Sequence, residues 1–175
     1  MQEYGTFSIN KKKKILWIAH RQMLLDQAAE SFQKFSFAEV IPNISSFNFR
    51  IISGSSSHDR TSDIKNSDNL IIASKDSIGR NLNRLDNWLS GEDELYLIID
   101  EAHHSTAKTY RKVIDYVRTK VTNVKLIGLT ATPFRTAESE QGLLAKIYLD
   151  GIKNGKVVHN DIGITYQIGL KELIK

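Results

Sequence analysis

The 175-residue sequence predicts an α/β domain, in which a mostly parallel sheet carries helices on both faces. Short apolar runs alternate with segments of helical periodicity, a pattern typical of strand–helix units in parallel sheets. Most of these runs are continuous rather than alternating, which indicates strands buried on both faces. The connections between such strands are expected to be right-handed.

The composition fits one globular domain, assigned to residues 1–175. Hydrophobic residues make up 41% and charged residues 25%, both ordinary values. A net charge of +4 permits a nucleic-acid partner without requiring one. The absence of cysteine excludes disulfides and thiolate–zinc sites. The sequence has no apolar run of ~20 residues and no signal-peptide core, so a cytoplasmic protein without a membrane partner is expected.

The first strand is predicted at Ile15–Ala19, after a polar segment whose lysine run is interpreted as a solvated loop. His20 and Arg21 follow it and open a helix. The apolar face of that helix comprises Leu24, Ala28, Phe32 and Phe35. A cationic side chain at a helix N-terminus is suited to a phosphate, although Arg21 would also be ordinary on a surface.

The next strands are predicted at Phe49–Ile52 and Leu70–Ala73. Between them, residues 53–69 are nearly all polar and are expected to form a mobile loop. Ser74 and Ser77 follow the second of these strands, where hydroxyl groups either donate to phosphates or cap a helix. The apolar residues of the helix that follows are Ile78, Leu82, Leu85 and Leu89.

The central feature is the apolar run Leu95–Ile99, which leads directly into Asp100, Glu101, Ala102, His103 and His104. Ligands of open α/β sheets bind at the carboxyl ends of the strands, so two carboxylates lie where a ligand is expected. The alternative is a charged pair that merely ends a strand.

The remaining elements repeat the pattern. A helix with Ser105 or Thr106 as N-cap is predicted from the apolar positions Tyr110, Val113, Ile114, Val117 and Val121. A strand at Lys125–Leu129 ends in Thr130, Ala131, Thr132 and Pro133, and proline stops it there. A helix capped by Thr136, a loop at 151–163 and an edge strand at Ile164–Ile168 complete the chain.

The Asp-Glu-Ala-His sequence at 100–103, followed by Thr-Ala-Thr-Pro at 130–133, resembles the first motor domain of superfamily 2 helicases and translocases. Each motif ends an apolar strand, in the family's order and spacing. The segments 15–27 and 70–78 look like the family's first two nucleic-acid-contacting motifs. The second histidine after the acids, the Thr-Ala-Thr-Pro-Phe-Arg ending and the tail at 166–174 are most similar to the branch that contains the motor subunits of type I and type III restriction enzymes and related DNA-repair helicases. The resemblance implies a RecA-like fold.

The resemblance also implies roles for individual residues. Asp100 would hold Mg²⁺ through its waters, and Glu101 would orient and deprotonate the water that attacks the γ-phosphate of ATP. His103 would couple the nucleotide site to a second motor domain, which together with the phosphate-binding segment would belong to the same parent chain. Thr130 and Thr132 would link hydrolysis to movement along nucleic acid. The nucleic-acid contacts would come from His20, Arg21, Ser74 and Ser77. The partner would be nucleic acid, DNA more than RNA, whereas His104 is interpreted as structural.

One family motif is absent from the sequence. A phosphate-binding loop reads G-x-x-x-x-G-K-[ST], and the Gly155–Lys156 pair is followed by Val157. The chain is therefore interpreted as a partial helicase domain truncated at both ends, without its first strand. Alone it is expected to be inactive, with ATP and Mg²⁺ used only by the full-length protein. The missing strand is expected beside the Asp100 strand, where its loss would favour self-association.

Two other functions remain open at this point. The chain could belong to the motor of a type I or III restriction endonuclease, whose nuclease site lies in another domain. It could also be a non-catalytic nucleic-acid-binding module, although the presence of Asp100 and Glu101 argues against this.

Overall fold

The computed structural model describes residues 13–35, 47–131 and 147–148, together with the backbone of 152–153 and 156–157. Five strands form one sheet: β1 (Lys14–Ala19), β2 (Phe49–Ile52), β3 (Leu70–Ser74), β4 (Glu94–Asp100) and β5 (Asn123–Leu129). The helices are α1 (Gln22–Phe35), α2 (Lys75–Arg80), α3 (Asp86–Leu89) and α4 (Lys108–Lys120). Short 3-10 helices cover Thr61–Asp63, Leu82–Leu85 and Ala102–His104.

The sheet is entirely parallel, with strand order β2-β3-β1-β4-β5. The predicted α/β class and all five predicted strands in this part of the chain are confirmed. The expectation of a gap beside the Asp100 strand is wrong, because β4 pairs with β1 on one side and with β5 on the other. The outer strands are β2 and β5, so within the described residues the open edges lie at the two sides of the sheet.

The helices divide between the two faces. The connection from β1 to β2 runs in one direction across the sheet, whereas those from β3 to β4 and from β4 to β5 run in the other. Right-handed crossovers therefore place α1 on one face and α2, α3 and α4 on the opposite face. Separate apolar cores form on the two faces, one against α1 and a larger one against the other helices.

The helix α1 buries a slightly different stripe from the predicted one. Leu25, Ala28 and Ala29 are buried against the sheet, whereas Phe35 is 58% exposed. Phe35 is the last residue of the helix, so it lies past the part of α1 that covers the sheet. The apolar spacing predicted the helix correctly but assigned Phe35 to the core wrongly.

The second predicted helix is broken into three pieces. Its four apolar positions are all buried as expected, but α2 ends at Arg80 and a 3-10 helix and α3 follow. Asn81 makes the break with φ −132° and ψ 41°, outside the helical region. The bend lets the segment follow the sheet surface.

Residues 53–69 contain more structure than their polar composition suggests. Arg50 holds this segment to β2 through Asp68, with Nε–Oδ2 at 2.8 Å, and through Asp59 at 3.2 Å. Ser53 Oγ lies 2.7 Å from His58 Nδ1, whose ring reaches α1. A 3-10 helix interrupts the loop. The mobility of the segment stays a prediction.

The start of α4 differs from the predicted cap. Its N-cap is Ala107, which has no side-chain capping bond, and Ser105 Oγ instead donates to the carbonyl of Ala102. The predicted core positions of this helix, Tyr110 to Val121, are all buried. The preceding 3-10 turn uses Ser105, and this leaves the first turn of α4 without a hydroxyl cap.

Several predictions concern residues outside the described ranges. These are Thr132, the helix from Thr136 except for 147–148, and the edge strand at Ile164–Ile168. The tail predicted as a loop contains two short antiparallel strands, β6 (Ile152–Lys153) and β7 (Lys156–Val157). Of the helices in the described part, none has the length and apolarity needed to cross a bilayer.

Candidate functional site

Four adjacent strands bring the predicted site residues to one edge of the sheet. The order β3-β1-β4-β5 aligns the ends that carry Ser74, His20, Asp100 and Thr130. In the pairing of β1 with β4, Ile18 lies opposite Ile99, so His20 and Glu101 follow their strands at neighbouring positions. Polar residues that are far apart in sequence are thus gathered at the carboxyl edge, as the fold class predicts.

The acidic pair sits on an unusual backbone turn. Glu101 has φ 53° and ψ 54°, the left-handed conformation, and no other non-glycine residue of the described chain has a positive φ. Left-handed backbone is unfavourable for a residue with a Cβ and is concentrated at functional sites. The turn sends the chain away from the sheet directly after β4 and leaves both carboxylates partly accessible.

Burial and charge act together on Asp100. Its pKa is raised, first by burial and also by the negative charge of Glu101. The amide of Glu101 donates to Asp100 Oδ1 at 2.9 Å and opposes this shift by stabilising the charged form. The remaining lone pairs of the Asp100 carboxylate stay available to a ligand.

His103 connects the acidic pair with the end of β5. Its Nδ1 lies 3.2 Å from Glu101 Oε2 and 3.0 Å from Thr130 Oγ1. Both contacts use the same nitrogen, so an Nδ1–H would be shared between Thr130 and Glu101, and the contact with Glu101 is an ion pair only when His103 is protonated. Three of the residues singled out in the sequence are therefore in direct contact, whereas Thr132 lies outside the described residues.

The structure adds a histidine cluster that the sequence interpretation missed. The ring of His104 lies between His20 and His103, with ring centroids at 4.9 Å and 4.1 Å. Arg21 Nε donates to His20 Nε2 at 3.1 Å. Burial lowers the pKa values of His20 and His104, and neighbouring cationic groups add to the effect. Pairing the two strands in register would have revealed this, because one strand end carries His20 and its neighbour carries His104.

The two serines form a helix cap one strand away. Ser74 is the N-cap of α2, and its Oγ accepts from the amide of Ser77 at 3.2 Å and donates to Ser77 Oγ at 2.9 Å. Both side chains remain partly exposed. Capping is thus demonstrated, and a phosphate contact by the same hydroxyls stays a prediction.

The donor set fits a magnesium ion that is held mainly by water and phosphate. In the part of the chain that the structure covers, no group of three His, Cys, Asp or Glu side chains could hold a metal. Mg²⁺ commonly uses one or two carboxylates and keeps several waters, so a single available Asp100 is compatible with it. The described residues are not compatible with a metal ion held by protein ligands alone.

Comparisons with known proteins identify the family of the chain. Residues 4–135 match the family described as "Type III restriction enzyme, res subunit" (ResIII). The chain is 39% identical over 72 residues to the Saccharomyces cerevisiae protein named "Putative ATP-dependent helicase IRC3", covering 40% of this chain and 10% of that protein.

A solved structure has the same fold. It is described as "Crystal structure of Pyrococcus furiosus Hef helicase domain" and superposes with a TM-score of 0.58 at 21% identity. The superposition covers 79% of this chain and 28% of that chain, so this chain spans well under a third of either relative. The parallel sheet matches the RecA-like domain of that helicase. Since the family match covers most of the sequence, the chain belongs to the ResIII family of superfamily 2 helicase-like proteins.

Proposed function

We propose that this chain supplies the Mg²⁺-binding and water-activating part of an ATP-driven helicase or translocase that acts on nucleic acid, with DNA favoured over RNA. The observation that carries the proposal is the contact chain from Glu101 through His103 to Thr130, at 3.2 Å and 3.0 Å. It joins a candidate general base to the end of the neighbouring strand.

The acidic pair would divide the chemistry of ATP hydrolysis. Phosphoryl transfer depends on positioning and on charge stabilisation. Asp100 would hold Mg²⁺ through water ligands, and the ion would neutralise charge on the phosphates. Glu101, oriented by His103 at 3.2 Å, would accept the proton of the attacking water.

Coupling to nucleic acid would pass through the same edge. His103 and Thr130 move together if either strand end shifts, because their side chains are hydrogen-bonded at 3.0 Å. Thr132 is proposed as a second coupling residue. His20, Arg21, Ser74 and Ser77 would contact the phosphate backbone from the adjacent strand ends. Such contacts fix register and carry no sequence information.

We also propose that the 175-residue chain alone neither binds Mg-ATP tightly nor hydrolyses it. Its sequence contains no glycine-rich loop followed by Lys and Ser or Thr, so no backbone cradle for the β- and γ-phosphates is present in it. Calorimetric titration with Mg-ATP tests this. A dissociation constant in the micromolar range would contradict the proposal.

The role of Glu101 is tested in a protein that carries this chain together with a phosphate-binding loop. Glu101→Gln removes the basic carboxylate and keeps its size, so ATP turnover should be lost while nucleotide binding is retained. Glu30→Gln is the matched control, because Glu30 is exposed on α1, on the other side of the sheet from α4. Unchanged turnover in Glu101→Gln would remove Glu101 as the base.

The family match favours one particular setting for the motor. Its description names the res subunit of type III restriction enzymes, which supports a translocase that works within a restriction endonuclease. Cleavage would then belong to another domain. The coding sequence on either side of this chain distinguishes the settings, since a flanking nuclease domain selects the restriction enzyme.

A further inference from the structure

The helix α4 is strongly basic for its length. Five of its 13 residues are Lys or Arg and one is Asp, so its net charge of +4 equals that of the whole 175-residue chain. Two of these cations, Lys108 and Arg111, are exposed and form no ion pair with a carboxylate of the described residues. Lys120, near the other end of the helix, is neutralised by Asp86 at 3.0 Å.

The unpaired cations line a groove rather than a flat surface. The groove has a volume of about 470 Å³ and runs along α4 beside the segment that follows α2. Its lining comprises Leu82, Lys108, Arg111, Lys112, Asp115, Tyr116 and Thr119. The three cations occupy the first five residues of α4, whereas Asp115 lies further along the helix. The positive end is therefore the end nearest the carboxyl edge of the sheet.

Close packing connects this end with the proposed phosphate-contacting serines. A Cβ built on Gly79 of α2 would lie 2.8 Å from Thr109 Cγ2 of α4, so the two helices touch there. Lys112 Nζ donates to the carbonyl of Gly79 at 3.2 Å. Lys75, which follows the Ser74 cap, places its ammonium 5.8 Å from the centre of the Tyr110 ring. The first turns of α2 and α4 thus form one continuous surface.

We infer that the groove along α4, beside the segment that follows α2, binds the phosphate backbone of a nucleic-acid strand and extends the contacts proposed for Ser74 and Ser77. This inference rests on the proposed function. Lys108 and Lys112 are four residues apart, a rise of about 6 Å along the helix, so both can face successive groups of an extended polyanion. The two helices together carry +5, from seven Lys and Arg residues and two carboxylates, Asp76 and Asp115.

Counterion release gives the expected size of the effect. Each phosphate contact to a single strand adds about 0.7 to the slope of log affinity against log salt, or roughly fivefold in affinity between 1 M and 0.1 M salt. Lys108→Gln/Arg111→Gln should therefore weaken binding of a single strand by about 25-fold at 0.1 M salt and flatten the slope by about 1.4.

The experiment measures fluorescence anisotropy of a labelled 20-nucleotide oligothymidylate with the 175-residue chain over a salt series. Arg111→Gln is compared with Arg118→Gln, which makes the same change on the same helix outside the groove. We expect Arg111→Gln to lose about fivefold and Arg118→Gln to bind like wild type. Circular dichroism and urea midpoints confirm that each variant is folded.

Four outcomes would overturn the inference. Equal effects of Arg111→Gln and Arg118→Gln would show that the groove has no special role. Competition by poly-L-glutamate as strong as that by DNA of equal charge would identify a site for acidic proteins. If Arg21→Gln weakens DNA binding but Lys108→Gln/Arg111→Gln leaves it unchanged, the groove is refuted and the proposed function is not. If the wild type does not bind DNA at all, both are refuted.

Discussion

The left-handed turn at Glu101 makes a quantitative prediction about stability. With φ 53° and ψ 54°, the residue occupies a conformation that costs a side-chain-bearing residue about 1–2 kcal/mol relative to glycine. Glycine in turn gains unfolded-state entropy, which destabilises the fold by about 0.4–1 kcal/mol. Glu101→Gly should therefore be more stable than Glu101→Ala by about 0.5–1 kcal/mol. The contact with His103 is lost in both variants, so it cancels from the comparison.

Urea unfolding of the purified chain measures the difference, and thermal unfolding should show it as a shift of about 1–4 °C. Two glycines calibrate the scale, because a Cβ built on either has open space around it. Gly91 has φ 78°, so Gly91→Ala should destabilise the fold through the backbone alone. Gly54 has no such positive φ, so Gly54→Ala should be neutral or stabilising by up to about 1 kcal/mol.

The reasoning is refuted if Glu101→Gly is no more stable than Glu101→Ala while Gly91→Ala and Gly54→Ala differ as expected. That result would mean that the turn at 101 relaxes when the carboxylate is removed, and that the left-handed conformation depends on the side chain. If Gly91→Ala and Gly54→Ala change the free energy of unfolding equally, the assumed cost of left-handed backbone is itself refuted.

Three further predictions concern other parts of the molecule. The lowered pKa of His104 means that the unfolded chain binds more protons than the folded chain at mildly acidic pH. The free energy of unfolding should therefore be highest above the unfolded pKa near 6.5 and fall as the pH drops below it. Urea midpoints measured from pH 5 to 8 should decline less in His104→Gln than in the wild type. Gly79→Ala should destabilise the fold by about 1–3 kcal/mol through its clash with Thr109 Cγ2, and Thr109→Ser should restore most of that loss in a double-mutant cycle. The outer edge of β5 should promote self-association; light scattering that shows a monomer at high concentration would argue against it.

The sequence was most informative where periodicity and burial coincide. Continuous apolar runs such as Leu95–Ile99 predicted the strands, since the inner strands are largely buried by helices on both faces of a parallel sheet, whereas the edge strands β2 and β5 are only partly buried. The break at Asn81 was not predictable, because the apolar spacing continues through it and only the path across the sheet requires the bend.

The sequence predicted which residues belong to the site better than it predicted the contacts between them. Asp100, Glu101 and His103 follow a buried strand in a motif that can be read directly. The left-handed backbone at Glu101 and the position of His104 beside His20 depend on how adjacent strands are aligned, which a single sequence specifies only indirectly. The charge of α4 was visible in the sequence, but its groove exists only because Leu82, in the segment that follows α2, packs beside it.

The contact between Gly79 and Thr109 also has a mechanical consequence. Thr109 Cγ2 fills the space left by the missing side chain of Gly79, and Lys112 Nζ donates to the Gly79 carbonyl, so α4 is held closely against α2. The turn at Glu101 precedes α4 by only a few residues, and Ser74 and Ser77 are anchored at the start of α2. A rearrangement of that turn would therefore reach α4 through the chain and α2 through the Gly79–Thr109 contact, so both helices would respond to a change at the acidic pair.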